Sequence, residues 1–390
     1  MPTKCAAKPG MTDRARPVTS HRLQGRSTRY DRLDNRVMSE SSATIAPPFV
    51  TIVIVNYNGG DAVQMCLDSV VSDPYPEREI IVVDNASTDN SCLYPEQLAA
   101  IHDDVLLIKN SENVGYAAAI NLALRRARGV YLAVLNMDIT VTRGWLTTLV
   151  DFLERNPDAA AVNPLITLRD GARINAAGQD IHITGLGFNR GLGQLADRIE
   201  KSPQIVSGVQ GGAFVIRKSS LMTIGGMDET GFLYHEDVNL SWLLQLLGQN
   251  LYCVPGAVVS HDYHLTMYPG KLYLLERNRW AMLLSYLNPL TLLILSPALA
   301  LTELFMCCFC LLRGLAFIRA KLESVKWVIR QRSRLRLRRD WLNLNRDLTD
   351  WALLRKMHWG YAWHQFLILG KESGPSSRHP SRRLPNGVME

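Results

Sequence analysis

Three clusters of polar residues directly follow apolar runs, and they contain the side chains best suited to chemistry. The clusters are Asn56-Tyr57-Asn58, Asp84-Asn85 and Asn136-Met137-Asp138. With Asp89, they place carboxylates where a ribose, a base or a hard divalent cation can be bound through oxygen. Each Asp taken alone is also explained as a helix cap or a turn residue. Their coincidence at successive strand ends is what indicates a ligand site.

Two further groups lie later in the chain. Glu236-Asp237 opens a predicted helix, and His261 follows a predicted strand. A carboxylate at a helix start is electrostatically biased toward its ionised form, which a general base requires. The alternative for the acid pair is plain N-terminal capping, and the alternative for His261 is a structural histidine.

Alternating strands and helices are expected to position these groups. Apolar runs predict strands, and helical spacing predicts helices between the first of them. The strands are 49–55, 79–83, 105–108, 130–135, 251–254 and 257–260, and the helices are 62–71 and 117–127. Continuous apolar strands separated by helices are typical of a parallel sheet that is covered on both faces. Ligands then bind at the carboxyl ends of the strands. The predicted fold class is α/β.

The composition excludes several classes of protein. The chain has 390 residues, of which 47% are hydrophobic and 20% charged, so it can bury a large core and is not wholly disordered. Seven Cys are few for this length and irregularly spaced, and Cys307, Cys308 and Cys310 lie inside an apolar run. This excludes a small disulfide scaffold and indicates a reducing compartment. Neither GxGxxG nor GxxxxGK[ST] is present, which argues against a dinucleotide fold or a P-loop.

The net charge of +7 is unevenly distributed. Residues 1–45 contain nine Lys/Arg against four Asp/Glu, residues 46–312 contain 17 against 26, and residues 313–390 contain 17 against six. An acidic body between basic ends does not predict nucleic-acid binding. Basic flanks beside an apolar segment indicate an anionic membrane surface, with solvated tails as the alternative.

Several ordered blocks resemble the family 2 glycosyltransferases of the GT-A fold over about residues 50–280. The resemblance is to the bacterial rhamnosyltransferase-like branch, and the blocks are Val53 to Asn58, Val82 to Asp89, Asn113 to Asn121, Leu135 to Asp138, Gly225 to Asp228 and His235 to Trp242. The resemblance implies a Rossmann-like, mostly parallel sheet that binds a nucleotide sugar. It also implies an inverting transfer of the sugar to an acceptor hydroxyl.

The resemblance implies a donor-binding role for each matching residue. Tyr57 matches the residue that packs on the nucleobase, Asp84 the carboxylate that reads the base or ribose, and Asp89 the second acid of that loop. The other donor-site positions that it implies are Asn56, Asn85, Asn113, Gly115, Asn121 and Asn136.

Metal and catalytic positions also follow from the resemblance. Asn136-Met137-Asp138 occupies the place of the family's D-x-D element, where Asp138 would hold Mg²⁺ or Mn²⁺. Asp237, with Glu236 beside it, matches the catalytic base. His261 matches a histidine that completes the metal shell in some relatives.

Two departures from the family pattern affect the donor and acceptor side. Trp242 is followed by Leu243 where the family often has Arg, and a glycine pair near Asn121 is replaced by Ala118 and Ala119. These positions border the sugar and the acceptor. The identity of the donor sugar is therefore left open.

An apolar segment at residues 289–312 contains one charged residue, Glu303, and is long enough to cross a membrane. A single crossing would separate the catalytic body from the basic tail and from cytoplasmic nucleotide sugars. We therefore expect a pair of short helices bent at Pro297, with the protein on the cytoplasmic face of a bacterial membrane. A soluble helical hairpin is the alternative.

These expectations divide the chain into four parts. Residues 1–45 are predicted to be a disordered basic segment without a signal peptide, in which Met38 is a second candidate start. A GT-A domain follows at 46–280, then a membrane-associated helical segment at 281–312 and a basic helical tail, disordered at its end, at 313–390.

The predicted activity is metal-dependent transfer of a sugar, with rhamnose as one candidate, to a lipid-linked or cell-envelope polysaccharide acceptor. The alternatives are a nucleotidyltransferase, which also uses acidic metal ligands, and a catalytically degenerate domain that serves as a membrane scaffold. The loop at residues 56–60 has no Lys or Arg for a phosphate, which counts against the nucleotidyltransferase.

Overall fold

The computed structural model describes residues 46–262 and 266–366. Its strands are β1 (Val50–Asn56), β2 (Arg78–Asp84), β3 (Val105–Lys109), β4 (Tyr131–Asn136), β5 (Ile139–Val141), β6 (Ala159–Leu168), β7 (Ile174–Ala176), β8 (Gln179–Ile181), β9 (Gly187–Asn189), β10 (Gln204–Ile205), β11 (Ala213–Arg217) and β12 (Asn250–His261). The four strands expected before residue 140 are present within one or two residues of their predicted bounds. The disorder predicted for residues 1–45 and for the end of the tail lies outside the described residues.

The first helices lie between these strands, and from residue 269 onward the described elements are all helices. The helices are α1 (Ala62–Val71), α2 (Leu93–Ile101), α3 (Tyr116–Arg126), α4 (Trp145–Arg155), α5 (Lys218–Thr223), α6 (Glu236–Leu246), α7 (Pro269–Tyr286), α8 (Pro289–Ile294), α9 (Ser296–Arg313), α10 (Leu315–Arg330), α11 (Arg332–Asn345) and α12 (Asp350–Leu354).

The main sheet is mixed, with parallel pairing through its longest strands. Its order is β10-β12-β6-β11-β4-β1-β2-β3, with β5 paired to β12 and β7 to β6. Neighbours β4, β1, β2 and β3 are parallel, as are β6 and β12, whereas β11 runs antiparallel between β4 and β6. The carboxyl ends of β1, β2 and β4 therefore lie side by side, and the three polar clusters meet at that edge.

Both faces of the sheet are buried, which explains why its strands are apolar without alternation. Ile52 and Ile54 of β1 pack on one face of the sheet with Leu67 of α1. Val53 and Val55 pack on the other face with Ile120 of α3. Each fully buried side chain of this size contributes about 1.5–3 kcal/mol to folding. The sheet is thereby a rigid base for the loops at its edge.

Strand β12 differs from the prediction of two short strands, because it runs unbroken from Asn250 to His261. A register shift against β6 between Val254 and Val258 absorbs the intervening Pro255 and Gly256. The continuous strand brings His261 opposite Ile139 of β5, next to the end of β4.

The C-terminal helices pack against the sheet domain. The predicted boundary at residue 280 falls inside α7, and the described residues on both sides of it belong to one compact unit. The apolar segment is broken at Leu295, with Pro297 in the first turn of α9, where its missing N–H is tolerated. Only α8 is short, however, because α9 continues for 18 residues. In the part of the chain that the structure describes, α9 is the one helix long and apolar enough to cross a membrane, with a mean hydropathy of 1.5.

Candidate active site

A cavity of about 1370 Å³ lies at the carboxyl edge of the sheet and extends to α9 and residues 363–366. Nine of the residues predicted from the sequence line it: Tyr57, Asn85, Asn113, Gly115, Asn136, Asp138, Glu236, Asp237 and His261. The fold thus brings the predicted donor, metal and base positions into one space. Asn56, Asp84, Asp89 and Asn121 lie outside its lining.

Asp84 and Asn56 form a buried hub beneath the cavity. Asp84 is 3% exposed and Asn56 is fully buried. Asn56 Nδ2 donates to Asp84 Oδ1 at 2.8 Å and to Ser91 Oγ at 3.0 Å, and the Ser87 amide donates to Asp84 Oδ2 at 3.1 Å. The structure therefore places these two side chains where they fix the loops after β1 and β2, rather than on the cavity surface.

Asp89 joins the same two loops. Its carboxylate accepts a hydrogen bond from the Gly60 amide at 3.1 Å and another from the Ser91 amide at 3.0 Å. All of its hydrogen bonds are thus used within the loops, which explains why it supports the cavity without lining it.

Asn121 is placed away from the cavity, in contrast to its predicted donor-site role. It is buried in α3, where Nδ2 donates to the Met227 carbonyl at 2.9 Å and to Glu229 Oε1 at 2.8 Å. Its Oδ1 accepts from the Met227 amide at 2.8 Å. The sequence pattern identified a side chain that braces the loop before α6.

Gly115 allows two loops to meet at the cavity wall. The Tyr116 amide donates to the Phe232 carbonyl at 2.8 Å, and a Cβ on Gly115 would lie 2.4 Å from that carbonyl oxygen. Gly115 also has φ +89°, a conformation that favours glycine. Asn85 Nδ2 donates to the Gly115 carbonyl at 3.1 Å, and Asn113 Oδ1 accepts from its amide at 3.0 Å.

Asp138 and His261 face each other at the end of the sheet. Nε2 of His261 lies 3.2 Å from Asp138 Oδ1, and Nδ1 lies 3.1 Å from Asn175 Oδ1. Because an amide oxygen only accepts, Nδ1 of His261 donates to Asn175, and Nε2 is the ring nitrogen directed at Asp138. Asp138 Oδ1 is buried and accepts no hydrogen bond from the described residues.

This pair of electron-donating atoms fits a divalent cation. Imidazole nitrogen and carboxylate oxygen are both ligands of Mn²⁺, and carboxylate oxygen is preferred by Mg²⁺. Across residues 46–262 and 266–366, no group of three or more His, Cys, Asp or Glu side chains converges. Two protein ligands are therefore what this edge of the sheet offers.

Asp237 is held by hydrogen bonds at the start of α6. Its Oδ2 accepts from Gln179 Nε2 at 2.7 Å and from the Gly211 amide at 3.1 Å, and Oδ1 accepts from the Val238 amide at 2.8 Å. A Cβ on Gly211 would lie 3.3 Å from Asp237 Cβ, so the glycine permits this close approach. The carboxylate is fixed in orientation toward the cavity.

Burial raises the pKa values of both Glu236 and Asp237, against the effect expected from the helix N-terminus. Burial raises the pKa of Asp237, so the helix start does not by itself set its ionisation. Burial and the nearby charge of Asp237 raise the pKa of Glu236 to about 8. Since three donors stabilise a charged Asp237, the pair at neutral pH has its negative charge on Asp237 and its proton on Glu236.

The loop before this pair is strained. Phe232, Tyr234 and His235 have φ values of 61°, 64° and 70°, which side chains with a Cβ adopt at a cost of roughly 1–3 kcal/mol each. Asn278 of α7 offsets this cost by donating to three backbone carbonyls between residues 231 and 234, at 2.8–3.2 Å. His235 Nε2 donates to the Gly185 carbonyl at 2.8 Å, and burial lowers the pKa of His235 to about 4.

A buried ion cluster joins α7 to α9 and α10. Glu276 and Arg279 of α7 are each 1% exposed and pair at 2.9 Å, while Lys321 of α10 pairs with Glu303 of α9 at 2.6 Å. Arg279 also pairs with Glu303 and donates to the Thr184 carbonyl at 3.1 Å. The single charged residue of the apolar segment is therefore tied to the catalytic body.

Comparison with known proteins agrees with this geometry. The family described as Glycosyl transferase family 2 matches residues 51–225. The N-acetylglucosaminyl-diphospho-decaprenol L-rhamnosyltransferase of Mycobacterium tuberculosis is 27% identical over 238 residues, 55% of this chain and 76% of the relative. These matches support the assignment of residues 51–225 to glycosyltransferase family 2.

Other relatives of this glycosyltransferase share less of their length with it. The pre-mycofactocin glycosyltransferase of Mycobacterium tuberculosis is 30% identical over 216 residues, 55% of this chain and 43% of the relative. The crystal structure of GalNAc-T7 with UDP, GalNAc and Mn²⁺ has a TM-score of 0.52 and 18% identity, and it matches 62% of this chain and 49% of its own. The chain thus spans less than half the length of these two proteins, and the solved structure supports the GT-A fold alone.

Three side chains that contribute to the glycosyltransferase site were missed from the sequence. Gln179 holds Asp237, Asn175 sets the tautomer of His261, and Lys271 lines the cavity. Asn175 and Gln179 lie on the short strands β7 and β8, in a stretch where no motif is readable. Lys271 lies in the first turn of α7, and a lysine near the start of a helix is too common to indicate a site.

Proposed function

We propose that this glycosyltransferase moves one sugar from a nucleoside-diphosphate donor to a hydroxyl of a lipid-linked or cell-envelope polysaccharide acceptor, with inversion at the anomeric carbon. The observation that carries the proposal is that the Asp237 carboxylate and the Asp138–His261 pair line the same cavity. A base for the acceptor and ligands for a donor-bound cation are both needed for such a transfer. The name of the mycobacterial relative makes rhamnose the first sugar to test.

In the proposed reaction, Asp237 removes the proton of the acceptor hydroxyl as its oxygen attacks the anomeric carbon. The bond between that carbon and the donor's diphosphate oxygen breaks, and the nucleoside diphosphate leaves. The three hydrogen bonds to Asp237 keep the carboxylate oriented during the attack. Protonated Glu236 adds no second negative charge beside the base.

The donor would occupy the polar end of the cavity. Tyr57, Asn85 and Asn113 line that end. The hydrogen bond between Asn56 and Asp84 below them holds the loops after β1 and β2 in place. Asp138 and His261 would hold Mg²⁺ or Mn²⁺. A divalent cation bound there supplies positive charge for the departing diphosphate.

A membrane location is supported by the surface of the C-terminal helices. Large apolar side chains are exposed on α8, α9 and the start of α10, namely Leu290, Leu293, Leu304, Leu311, Leu312 and Leu315. Four arginines, Arg330, Arg332, Arg334 and Arg336, are exposed nearby in sequence on α10 and α11. An apolar surface beside basic residues suits an anionic bilayer, and nucleotide sugars favour its cytoplasmic face.

Asp237→Asn in the full chain tests the catalytic assignment. With nucleoside-diphosphate sugars, a divalent cation and a membrane-lipid extract, we expect transfer to fall about 10²–10⁴-fold, the usual contribution of a general base. Donor binding, followed as a metal-dependent thermal shift, should persist. An active Asn variant would overturn the role of Asp237. Release of pyrophosphate instead of nucleoside diphosphate would overturn glycosyl transfer itself.

Membrane fractionation tests the location. The protein should sediment with membranes and resist release by salt alone, because apolar contact is insensitive to screening. Release of nearly all of the protein by high salt or carbonate would show that it is not inserted.

A further inference from the structure

The cavity has two ends of different chemistry. Its polar end contains the donor and metal positions, whereas its other end is lined by Leu275, Phe305, Met306, Phe309, Leu312 and Trp363. Phe305 and Trp363 meet edge to face, with ring centroids 4.9 Å apart. A hydrophilic nucleotide sugar would not bury its polar groups against this apolar end. A second ligand with an apolar part is therefore indicated.

The apolar end opens at the last turn of α9. Leu312 lines the cavity and is 87% exposed, next to Leu311 and Leu315, which are also exposed but lie outside the cavity lining. The cavity is thus continuous with the apolar surface that we propose to meet the bilayer. A hydrocarbon chain can pass from that surface into the cavity without crossing a polar region.

Lys271 lies along the cavity as a cation with no carboxylate at ion-pair distance in the described parts of the chain. Its Nζ sits 4.9 Å from the ring centroid of Tyr234, and burial lowers the pKa of Lys271 to about 8. The other buried cation at the lining, Arg279, is already paired with Glu276 and Glu303. A partly buried ammonium group with only an aromatic neighbour favours an anionic ligand.

We propose that the acceptor is a sugar linked through a diphosphate to a long hydrocarbon chain, and that it binds with its chain along the α9 end of the cavity and its diphosphate at Lys271. This inference rests on the proposed function, because it places the acceptor's hydroxyl at Asp237. The apolar lining, its opening at Leu312 and the cation at Lys271 match the three chemical parts of such a lipid. Leu312 and Lys271 are thus assigned as acceptor-binding residues.

Binding of farnesyl diphosphate to the full chain in detergent tests the inference directly, with inorganic pyrophosphate and farnesol as the two halves of the probe. Farnesyl diphosphate should bind at least about tenfold more tightly than pyrophosphate or farnesol alone. Burial of a few apolar groups is worth about tenfold in affinity, and so is one charged contact. Lys271→Gln should weaken its binding by about tenfold, the size of one charge-assisted hydrogen bond. Leu312→Glu should weaken it to a similar extent.

Leu311→Glu is the matched control. Leu311 is the neighbouring residue of the same helix turn, is 68% exposed and does not line the cavity, so its variant should bind farnesyl diphosphate like the wild type. Both leucines are on the surface, so both variants should fold like the wild type, and a melting curve on each variant checks this. Equal effects of the two glutamates would overturn the assignment of the chain site.

The donor serves as a second readout. If Lys271→Gln weakens binding of the nucleotide sugar and leaves farnesyl diphosphate unchanged, Lys271 belongs to the donor and the inference is wrong. Donor binding without any farnesyl diphosphate binding would overturn the inference and leave the proposed function standing. Binding of neither ligand would overturn both.

Discussion

Replacement of Glu236 by Gln should stabilise the protein increasingly as the pH rises. Burial and the charge of Asp237 hold the pKa of Glu236 at about 8 in the folded protein, against an ordinary value of 4.5. Between these two values the folded state keeps a proton that the unfolded state has lost. The free energy of unfolding therefore falls as the pH rises through this window, and it levels off above pH 8. Gln has the shape of the protonated acid and no proton to lose.

The size of the effect follows from the same two pKa values. Their difference of about 3.5, at about 1.4 kcal/mol per pKa unit, sets an upper limit of about 5 kcal/mol at high pH. Glu236 is only partly buried by surface area, and its partner Asp237 can share the proton, so the realised gain should be smaller. We expect Glu236→Gln to add about 1–3 kcal/mol at pH 8 relative to pH 5.

Thermal denaturation of the wild type and Glu236→Gln at intervals from pH 5 to pH 9 measures this gain. The difference in Tm should grow with pH, at roughly 2–4 °C for each kcal/mol. Glu112→Gln is the control, because Glu112 also lines the cavity but is exposed, and its variant should track the wild type. A Tm difference for Glu236→Gln that is the same at pH 5 and pH 8 would refute the assignment of the proton to Glu236.

Three other substitutions test separate parts of the structure. Gly115→Ala should cost about 2 kcal/mol or more in urea unfolding, since its Cβ would meet the Phe232 carbonyl oxygen at 2.4 Å and its φ is positive; an unchanged midpoint would contradict this. His261→Gln should weaken Mn²⁺ at least about tenfold in a titration of the donor-induced thermal shift, and equal Mn²⁺ affinity would remove His261 from the metal site. Glu303→Gln should lower stability by roughly 1–3 kcal/mol, less than a fully buried ion pair because Glu303 is 27% exposed, whereas Glu323→Gln on exposed α10 surface should be neutral. Equal melting of these last two variants would show that the ion cluster does not hold α9.

The elements around the donor site could be predicted from the sequence because their signals are local. Buried strands such as β1 and β4 are continuous apolar runs, and α1 was predicted at its observed bounds, Ala62–Val71. The join of two predicted strands into β12 was missed, because Pro255 and Gly256 usually end a strand. Only the pairing with β6, which is distant in the sequence, keeps that strand intact.

The sequence indicated which residues lie near the candidate site, but it did not indicate which side chains they contact. Nine of the predicted residues line one cavity, whereas Asp84 and Asn121 are buried and hold neighbouring loops. Whether a side chain at a strand end faces a ligand or its own loop depends on partners such as Ser87 and Met227, which no local pattern specifies. The same holds for Gln179, whose contact with Asp237 spans 58 residues of sequence.

The hydrogen bonds from Asn278 limit how this enzyme can be divided into transferable modules. The stretch that matches the family, residues 51–225, contains the donor loops and Asp138 but ends before the strained loop and Asp237. That loop keeps its left-handed conformation through an amide on α7. A chimera that joins residues 51–225 to the helices of another transferase would therefore keep the proposed donor loops but lose the amide that supports the loop before Asp237, the proposed base. Recombination between such enzymes can succeed only when the segment from Phe232 to Asn278 is exchanged as one piece.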